Sequence, residues 1–139
     1  MIVTLEEIVA KSGDSEFLRY YYDDGKLIVE LELDELDVLA IFNIRTKAII
    51  ATSISDKDLP CRICYINLFK LSETLTRDKG RYLPANDFPT LMKHEREGIN
   101  LAYGKKADDV EFILQFRGAE VLLACLIGNK GDIQVNLKD

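Results

Sequence analysis

Residues 27–34 carry the clearest alternation of hydrophobic and polar positions in the chain. Leu27, Val29, Leu31 and Leu33 occupy one set of alternate positions, and Glu30, Glu32 and Asp34 occupy the other. Successive side chains of a β-strand point to opposite faces, so this pattern predicts a strand with one apolar and one acidic face. The segment therefore predicts a negatively charged sheet face backed by a hydrophobic core.

The residues before this strand predict a helix and a hairpin. Thr4 and Glu7 form a capping box and Gly13 is a plausible stop, which predicts a short helix over about residues 5–12. The aromatic run at 16–22 favours a strand. Asp23-Asp24-Gly25 then predicts a tight turn into the acidic strand of residues 26–34, since Asp-Gly accommodates positive φ angles.

The rest of the chain predicts further strands separated by short connections. Strands are predicted at residues 38–44, 48–54, 62–71, 120–127 and 133–138. Residues 72–86 read as an irregular crossover, residues 87–103 as a second helix, and residues 110–117 fit a strand or a helix equally.

Short connections favour antiparallel pairing over parallel βαβ units. We therefore expect residues 1–139 to form a single α+β domain. It would have a mainly antiparallel, meandering sheet with one or two helices packed on one face.

Composition limits the class of protein. The chain has 139 residues, 47% of them hydrophobic, and a net charge of −6. Residues 1–60 carry a balance of −7 and residues 61–139 a balance of +1, which argues against a general nucleic-acid binder. The absence of a signal-peptide pattern or a long apolar run, together with three cysteines, predicts a cytoplasmic protein with no membrane segment.

The stretch from Asp14 to Asp37 is the main candidate for partner binding. It holds nine acidic residues against two basic ones, and tyrosines lie beside the acidic strand. Tyrosine is enriched at protein interfaces, although core packing accounts for most tyrosines and solvent for most acidic faces. The candidate residues for contact with a basic protein partner are Tyr20, Tyr22, Asp23, Asp24, Glu30, Glu32 and Asp34.

Catalytic and metal chemistry has little support in the sequence. Glu30 and Glu32 share a strand face at a spacing that glycosidases use, but acidic neighbours indicate a solvated site. Cys61 and Cys64 form a C-x-x-C that opens a predicted strand, where packing is the better interpretation, and His94 is the only histidine. We predict no catalytic residue, no metal and no cofactor.

A basic segment offers a different kind of site. Residues 77–106 hold seven basic and four acidic side chains. Arg77, Lys79, Arg81 and Lys105 could hold an anion around the crossover and the second predicted helix, although no phosphate-binding glycine motif occurs and ordinary surface charge is the simpler interpretation.

The first functional hypothesis is a non-enzymatic protein-binding module that engages a basic partner through the acidic hairpin. In size, acidity and lack of catalytic motifs the chain resembles small bacterial immunity proteins that neutralise nuclease-type toxins, a resemblance of composition alone. The alternatives are a small-ligand or anion-binding domain that uses residues 77–81 and 87–103, and a structural or self-associating subunit. The sequence does not define the oligomeric state.

Overall fold

The computed structural model describes residues 4–52, 57, 59–62, 65–70, 75–78, 81–84, 110–118 and 121–139. In these residues one short helix and eleven strands follow one another along the chain. They are α1 (Leu5–Ala10), β1 (Glu16–Asp23), β2 (Lys26–Leu33), β3 (Val38–Ile44), β4 (Ala48–Thr52), β5 (Cys61–Arg62), β6 (Tyr65–Lys70), β7 (Leu75–Asp78), β8 (Arg81–Pro84), β9 (Phe112–Arg117), β10 (Val121–Ile127) and β11 (Ile133–Lys138). A 3₁₀ turn at Lys130–Asp132 leads into β11.

The strands pair antiparallel throughout, which confirms the predicted pairing. They do not form one continuous meander. A five-stranded sheet has the order β11-β3-β2-β1-β5, a four-stranded sheet has the order β4-β10-β9-β6, and β7 and β8 form a separate hairpin. Where an irregular crossover was expected over residues 72–86, the described residues 75–78 and 81–84 are strands, and the others lie outside the described residues. The second predicted helix, at residues 87–103, lies outside the described residues.

Local signals set the first helix and the first hairpin as predicted. The backbone N–H of Glu7 donates to Thr4 Oγ1 over 3.1 Å, so Thr4 caps α1. At the β1–β2 turn, Asp24 and Gly25 have φ angles of 52° and 74°. Two consecutive positive φ angles are the requirement of a type I′ turn, whose twist matches the strands on either side.

The core lies between the two larger sheets. Leu27, Val29, Leu31 and Leu33 of β2 point inward and pair in register with Ile44, Phe42, Ala40 and Val38 of β3. Phe116 of β9 joins the sheets, because its ring meets Phe17 and Phe42 edge to face at centroid distances of 5.9 and 5.4 Å. Such pairs add to the burial of apolar area that stabilises the sandwich.

The four-stranded sheet is buried on both faces at its centre. In β9, Leu114 and Phe116 join the core cluster, and Ile113 and Gln115 on the opposite face are also fully buried. Gln115 Oε1 accepts a 3.2 Å hydrogen bond from the Asn67 side chain of β6. Residues 110–117, ambiguous in sequence, therefore hold a strand whose two buried faces remove the usual alternation.

Buried serines connect α1 to the sheets. The Ser12 hydroxyl donates to the carbonyl of Val9 over 2.7 Å and accepts from the backbone N–H of Ile66 over 2.7 Å. Ser15 donates to the carbonyl of Ser12 in turn. These bonds satisfy buried polar groups where the chain passes from α1 into β1, and they hold β6 against that corner.

Replacing Phe116 with Ala should lower the free energy of unfolding by about 3–5 kcal/mol, because it leaves a cavity between the two sheets. Urea unfolding followed by circular dichroism measures this loss. Phe116→Leu should cost clearly less, and Tyr22→Ala, at a side chain that is 60% exposed, should have a small effect. Equal losses for the Phe116→Ala and Tyr22→Ala variants would contradict this account of the core.

Candidate protein-interaction surface

The outer face of the five-stranded sheet is the set of side chains that point away from the core on β1, β2, β3 and β11. In register, it carries a row of Glu16, Glu32, Leu39 and Lys138, a row of Arg19, Glu30, Ile41 and Asn136, and a row of Tyr21, Ile28, Asn43 and Gln134. On its rim Arg19, Tyr21 and the β11 side chains are exposed and Glu16 is half-buried, and Leu39 and Ile41 at its centre are half-buried. The face is therefore mixed: apolar in the middle, with carboxylates concentrated towards one end.

Glu30 is an internally paired carboxylate. Its side chain is opposite Arg19 on β1, and Arg19 Nε donates to Glu30 Oε2. Glu30 is only 8% exposed, and the hydrogen bond that Arg19 donates to its carboxylate raises the pKa of Arg19. The Arg19 guanidinium also lies over the Tyr21 ring, 5.2 Å from its centroid. Glu30 therefore anchors a contact within the sheet, and its charge is already matched.

Glu32, two residues further along β2, has the opposite environment. It is exposed and lies directly opposite Glu16 of β1, so two carboxylates face each other across adjacent strands. The β2–β3 turn at residues 34–37 and the C-terminal residue follow at the same end of the sheet. We call this set the acidic end: Glu16, Glu32, Asp34, Glu35, Asp37 and Asp139.

A surface depression lies at the acidic end. It has a volume of about 470 Å³ and is lined by Glu32, Asp37, Val38, Leu39, Lys138 and Asp139. Carboxylates flank an apolar floor there. Asp37 reaches its position at the end of the turn with a φ angle of 53°, which Asp tolerates better than most residues.

The structure does not bring the predicted partner-binding residues onto one surface. Tyr20 and Tyr22 lie on the inward face of β1, as Phe17 does, whereas Glu30 and Glu32 point outward from β2. Asp23 and Asp24 are at the β1–β2 turn, and Asp34 is at the opposite end of β2, about 23 Å away for an eight-residue strand. The continuous acidic stretch of the sequence is thus divided between two ends and two faces of the sheet.

The two inward tyrosines differ in their surroundings. Tyr20 is half-buried, its ring meets Phe17 at 6.1 Å, and its hydroxyl is 3.4 Å from Thr52 Oγ1 of β4. Tyr22 is at the end of the sheet and is 60% exposed, and partial burial raises its pKa. Tyr20 therefore contributes to packing between the sheets, and Tyr22 remains available at the surface.

The residues of the anion-binding alternative are placed only in part. Arg77 and Arg81 belong to the β7–β8 hairpin, in which Arg81 pairs with Asp78 and Arg77 with Tyr82. Their side chains, and Lys79 and Lys105 altogether, lie outside the described part of the structure. An anion site there stays a prediction.

Sequence reasoning missed a groove beside α1. It has a volume of about 490 Å³ and is lined by Glu6, Val9, Ala10, Leu68, Lys70, Phe112 and Lys130. Lys130 Nζ donates to Glu6 Oε1 over 3.0 Å and lies 5.7 Å from the centroid of the Phe112 ring. The hydrogen bond and charge of Lys130 lower the pKa of Glu6. Glu6 and Lys130 are 124 positions apart, so no local pattern could reveal the pair.

The cysteines differ in environment. Cys125 of β10 is fully buried, and desolvation raises the pKa of its thiol to about 12, so the thiol is protonated near neutral pH. Cys61 is half-buried in β5, opposite Phe17. Cys64 and His94 lie outside the described residues. Cys125 thus belongs to the core rather than to a reactive site.

Comparison with protein-family models, with curated proteins and with solved structures finds no match for this chain. In the described residues, no helix is long and apolar enough to cross a membrane, and no three side chains of His, Cys, Asp or Glu come together in a group that could hold a metal ion. Interpretation of the site therefore depends on its own geometry.

Reversing the charge of Glu30 and of Glu32 should have different effects on stability. Glu30→Lys places a second cation beside Arg19 in a nearly buried position and should lower the urea midpoint clearly. Glu32→Lys makes the same charge change on the same strand, but it relieves the repulsion with Glu16, so stability should stay within about 0.5 kcal/mol of the unmodified chain or rise. Equal destabilisation by both variants would contradict the different environments of these carboxylates.

The Glu6–Lys130 pair should make a pH-dependent contribution to stability. Because Lys130 lowers the pKa of Glu6 in the folded state, the contribution is present above the unfolded pKa of about 4.5 and is lost as the pH falls through the folded pKa. An NMR titration should place the Glu6 carboxyl midpoint below 4.5, and Lys130→Met should raise that midpoint. Lys138→Met, at the far end of β11, serves as the control and should leave it unchanged. An unchanged midpoint in Lys130→Met would contradict the assignment.

Proposed function

We propose that this chain is a non-enzymatic cytoplasmic protein-binding module that engages a basic protein partner through the acidic end of its five-stranded sheet. Neutralisation of a basic toxin by an immunity-type protein is one activity of this kind. The single observation that carries the proposal is the pair of facing carboxylates, exposed Glu32 and half-buried Glu16, which lie directly opposite each other on adjacent strands beside the depression at the acidic end.

Taken as a cross-strand pair, Glu16 and Glu32 are unfavourable, and the basic residue in register with Glu16 is Arg62 of β5 on its other side. Like charges directly opposite on neighbouring strands destabilise a sheet, whereas an opposite charge at either position would stabilise it. Glu30 with Arg19 shows this favourable arrangement one row away. A basic side chain supplied by a partner would bridge Glu16 and Glu32 and turn their repulsion into attraction, which gives the partner part of its binding free energy.

The depression suits a long basic side chain. Val38 and Leu39 supply apolar surface for the methylene groups of a Lys or Arg, and Glu32 and Asp37 supply acceptors for its charged end. Among the described residues that line it, Lys138 alone is basic. A protein that presents a Lys or Arg from an exposed loop therefore matches the depression in shape and charge.

Charge distribution favours fast association with such a partner. The chain has a net charge of −6, and the acidic end concentrates carboxylates at one edge of the molecule. Complementary potentials steer a basic partner towards this edge and increase the association rate, an effect that salt reduces.

The structure supports the two alternative functions to different degrees. For anion binding, the described residues include the backbone of Arg77 and Arg81 but no side-chain geometry, so no observation favours it. Self-association has support at the β1 edge of the same sheet.

A decalysine peptide serves as the probe for the proposed surface. In an NMR titration of the ¹⁵N-labelled chain, the largest amide shifts should map to Glu16, Glu32 and residues 34–37, and not to the β1–β2 turn. Glu16→Lys with Glu32→Lys should weaken peptide binding about tenfold or more, since it removes both facing carboxylates.

The matched control is Glu7→Lys with Glu111→Lys, which makes the same change in net charge at two exposed positions away from the acidic end. This control should bind the peptide nearly as well as the unmodified chain does. If both double variants lose the same affinity, binding depends on net charge alone and the proposed surface is wrong.

A further inference from the structure

Among the described residues, one edge of the five-stranded sheet is paired over only part of its length. β2 pairs with β1 along its whole length from Glu16 to Asp23, but on the other side β5 pairs only with Glu16 and Phe17. A bulge at Leu18 separates this covered part of β1 from the rest. Within the described residues, no strand pairs with Arg19–Asp23 on that side. Alternate residues of this segment therefore direct backbone N–H and C=O groups away from the sheet.

The same segment carries exposed aromatic side chains. The Tyr21 side chain is 40% exposed and the Tyr22 side chain is 60% exposed. Among the described residues, no other large hydrophobic side chain is exposed to this degree. Protein edges that avoid pairing commonly carry Pro or charged side chains, above all Lys. Arg19–Asp23 has no Lys or Pro, and its two charged side chains, Arg19 and Asp23, have opposite signs. Open backbone groups and exposed tyrosines thus coincide on five residues.

We propose that a second copy of this chain pairs with this edge, so that two β1 strands join antiparallel and the five-stranded sheets of the two copies become continuous. Addition of a strand to an open edge is a common mode of recognition, and a two-fold axis requires that the edge be complementary to itself. The sequence of β1 meets this requirement in one register.

Symmetry limits the register. A two-fold axis perpendicular to the sheet keeps the outer face of both copies on the same side. The centre of the interface, which is the residue that lies opposite its own copy, can then be Tyr20, Tyr21 or Tyr22. A centre at Tyr21 pairs the entire open segment with itself and lets β5 remain in place on Glu16 and Phe17. It also places Arg19 opposite Asp23 of the second copy, twice per dimer.

The other two registers lose these charge pairs. With a centre at Tyr20, Arg19 is opposite Tyr21; with a centre at Tyr22, Asp23 is opposite Tyr21. With the centre at Tyr21, the two Tyr21 rings are adjacent on the outer face of the sheet. On the inner face, Tyr20 of each copy is opposite Tyr22 of the other copy. Aromatic and opposite-charge cross-strand pairs are both stabilising, so this register is favoured at every position of the segment.

The Arg19 guanidinium has enough N–H donors to bind Glu30 in its own sheet and Asp23 of the second copy. Its Nε donates to Glu30, which leaves the N–H groups at the end of the guanidinium for a second carboxylate. The Arg19 side chain is 64% exposed despite that bond. Asp23 is exposed at the end of β1 and has no ion pair among the described residues. The dimer would therefore add a contact to Arg19 without breaking the one within the sheet.

A pair of complementary variants tests the dimer. The unmodified chain should sediment as a dimer with twice the mass of the chain. In the Asp23→Arg variant, Arg19 of each copy faces the new arginine at position 23 of the other copy. In the Arg19→Asp variant, the new aspartate at position 19 faces Asp23 of the other copy; Glu30→Gln is added so that no carboxylate is left unpaired within the sheet. Each variant alone should dimerise about tenfold more weakly or worse. An equimolar mixture of the two should form a heterodimer, because both contacts are then complementary.

The dimerisation experiment has a matched control at the other end of the sheet. Glu35→Arg makes the same charge change as Asp23→Arg at the other end of the sheet and should remain dimeric. A monomer at every concentration for the unmodified chain, or no heterodimer in the mixture of folded variants, overturns the proposal.

Cross-linking tests the register without changing any charge. In a chain with Cys61→Ser and Cys64→Ser, Tyr21→Cys should form a disulfide between two copies on oxidation, because directly opposite residues have the Cα separation that a disulfide needs. Tyr20→Cys should not, since its opposite residue is Tyr22. Equal cross-linking at positions 20 and 21 would reject a centre at Tyr21.

Discussion

The burial of four alternate aliphatic side chains on β2 is the constraint on which the rest of the structure depends. Leu27, Val29, Leu31 and Leu33 are almost completely removed from water. At about 1.5–3 kcal/mol for each such side chain, their combined contribution is comparable to the net stability of a whole domain, about 5–15 kcal/mol. A shift of one residue would reverse both faces of the strand. The neighbours β1 and β3 must therefore pair in the register that keeps their own apolar side chains on the same side.

The same constraint assigns a role to each acidic residue of the hairpin. Once the leucines of β2 face inward, Glu30 and Glu32 must face outward, and their different roles then depend on the residue of β1 that lies opposite. Glu30 meets Arg19 and becomes part of the fold, whereas Glu32 meets Glu16 and gains no opposite charge from β1. The bulge at Leu18 determines these partners, because it shifts the register of β1 between Phe17 and Arg19. Local charge density thus gives a poor guide to which carboxylates are available to a partner.

Sequence patterns predicted secondary structure well where one face of an element is buried and the other is exposed to solvent. The capped first helix, the Asp24-Gly25 turn and the limits of β3 all follow from local rules of this kind. They were uninformative in β9, because both of its faces are buried and alternation disappears. Candidate sites were predicted less well, since the distance between Asp23 and Asp34 depends on strand direction and the Glu6–Lys130 contact depends on the closure of the whole fold.

The amide of Gln115 has a consequence for how the smaller sheet assembles. Gln115 is fully buried among apolar neighbours in β9, and Asn67 of β6 supplies a hydrogen bond in the native alignment. If β9 slipped by one residue during folding, the amide would turn towards Phe42 and Phe17 without a partner, and its desolvation would be uncompensated. Apolar side chains alone would tolerate several alignments of β6, β9 and β10. The buried amide of Gln115 therefore favours the native alignment of these strands over a one-residue slip.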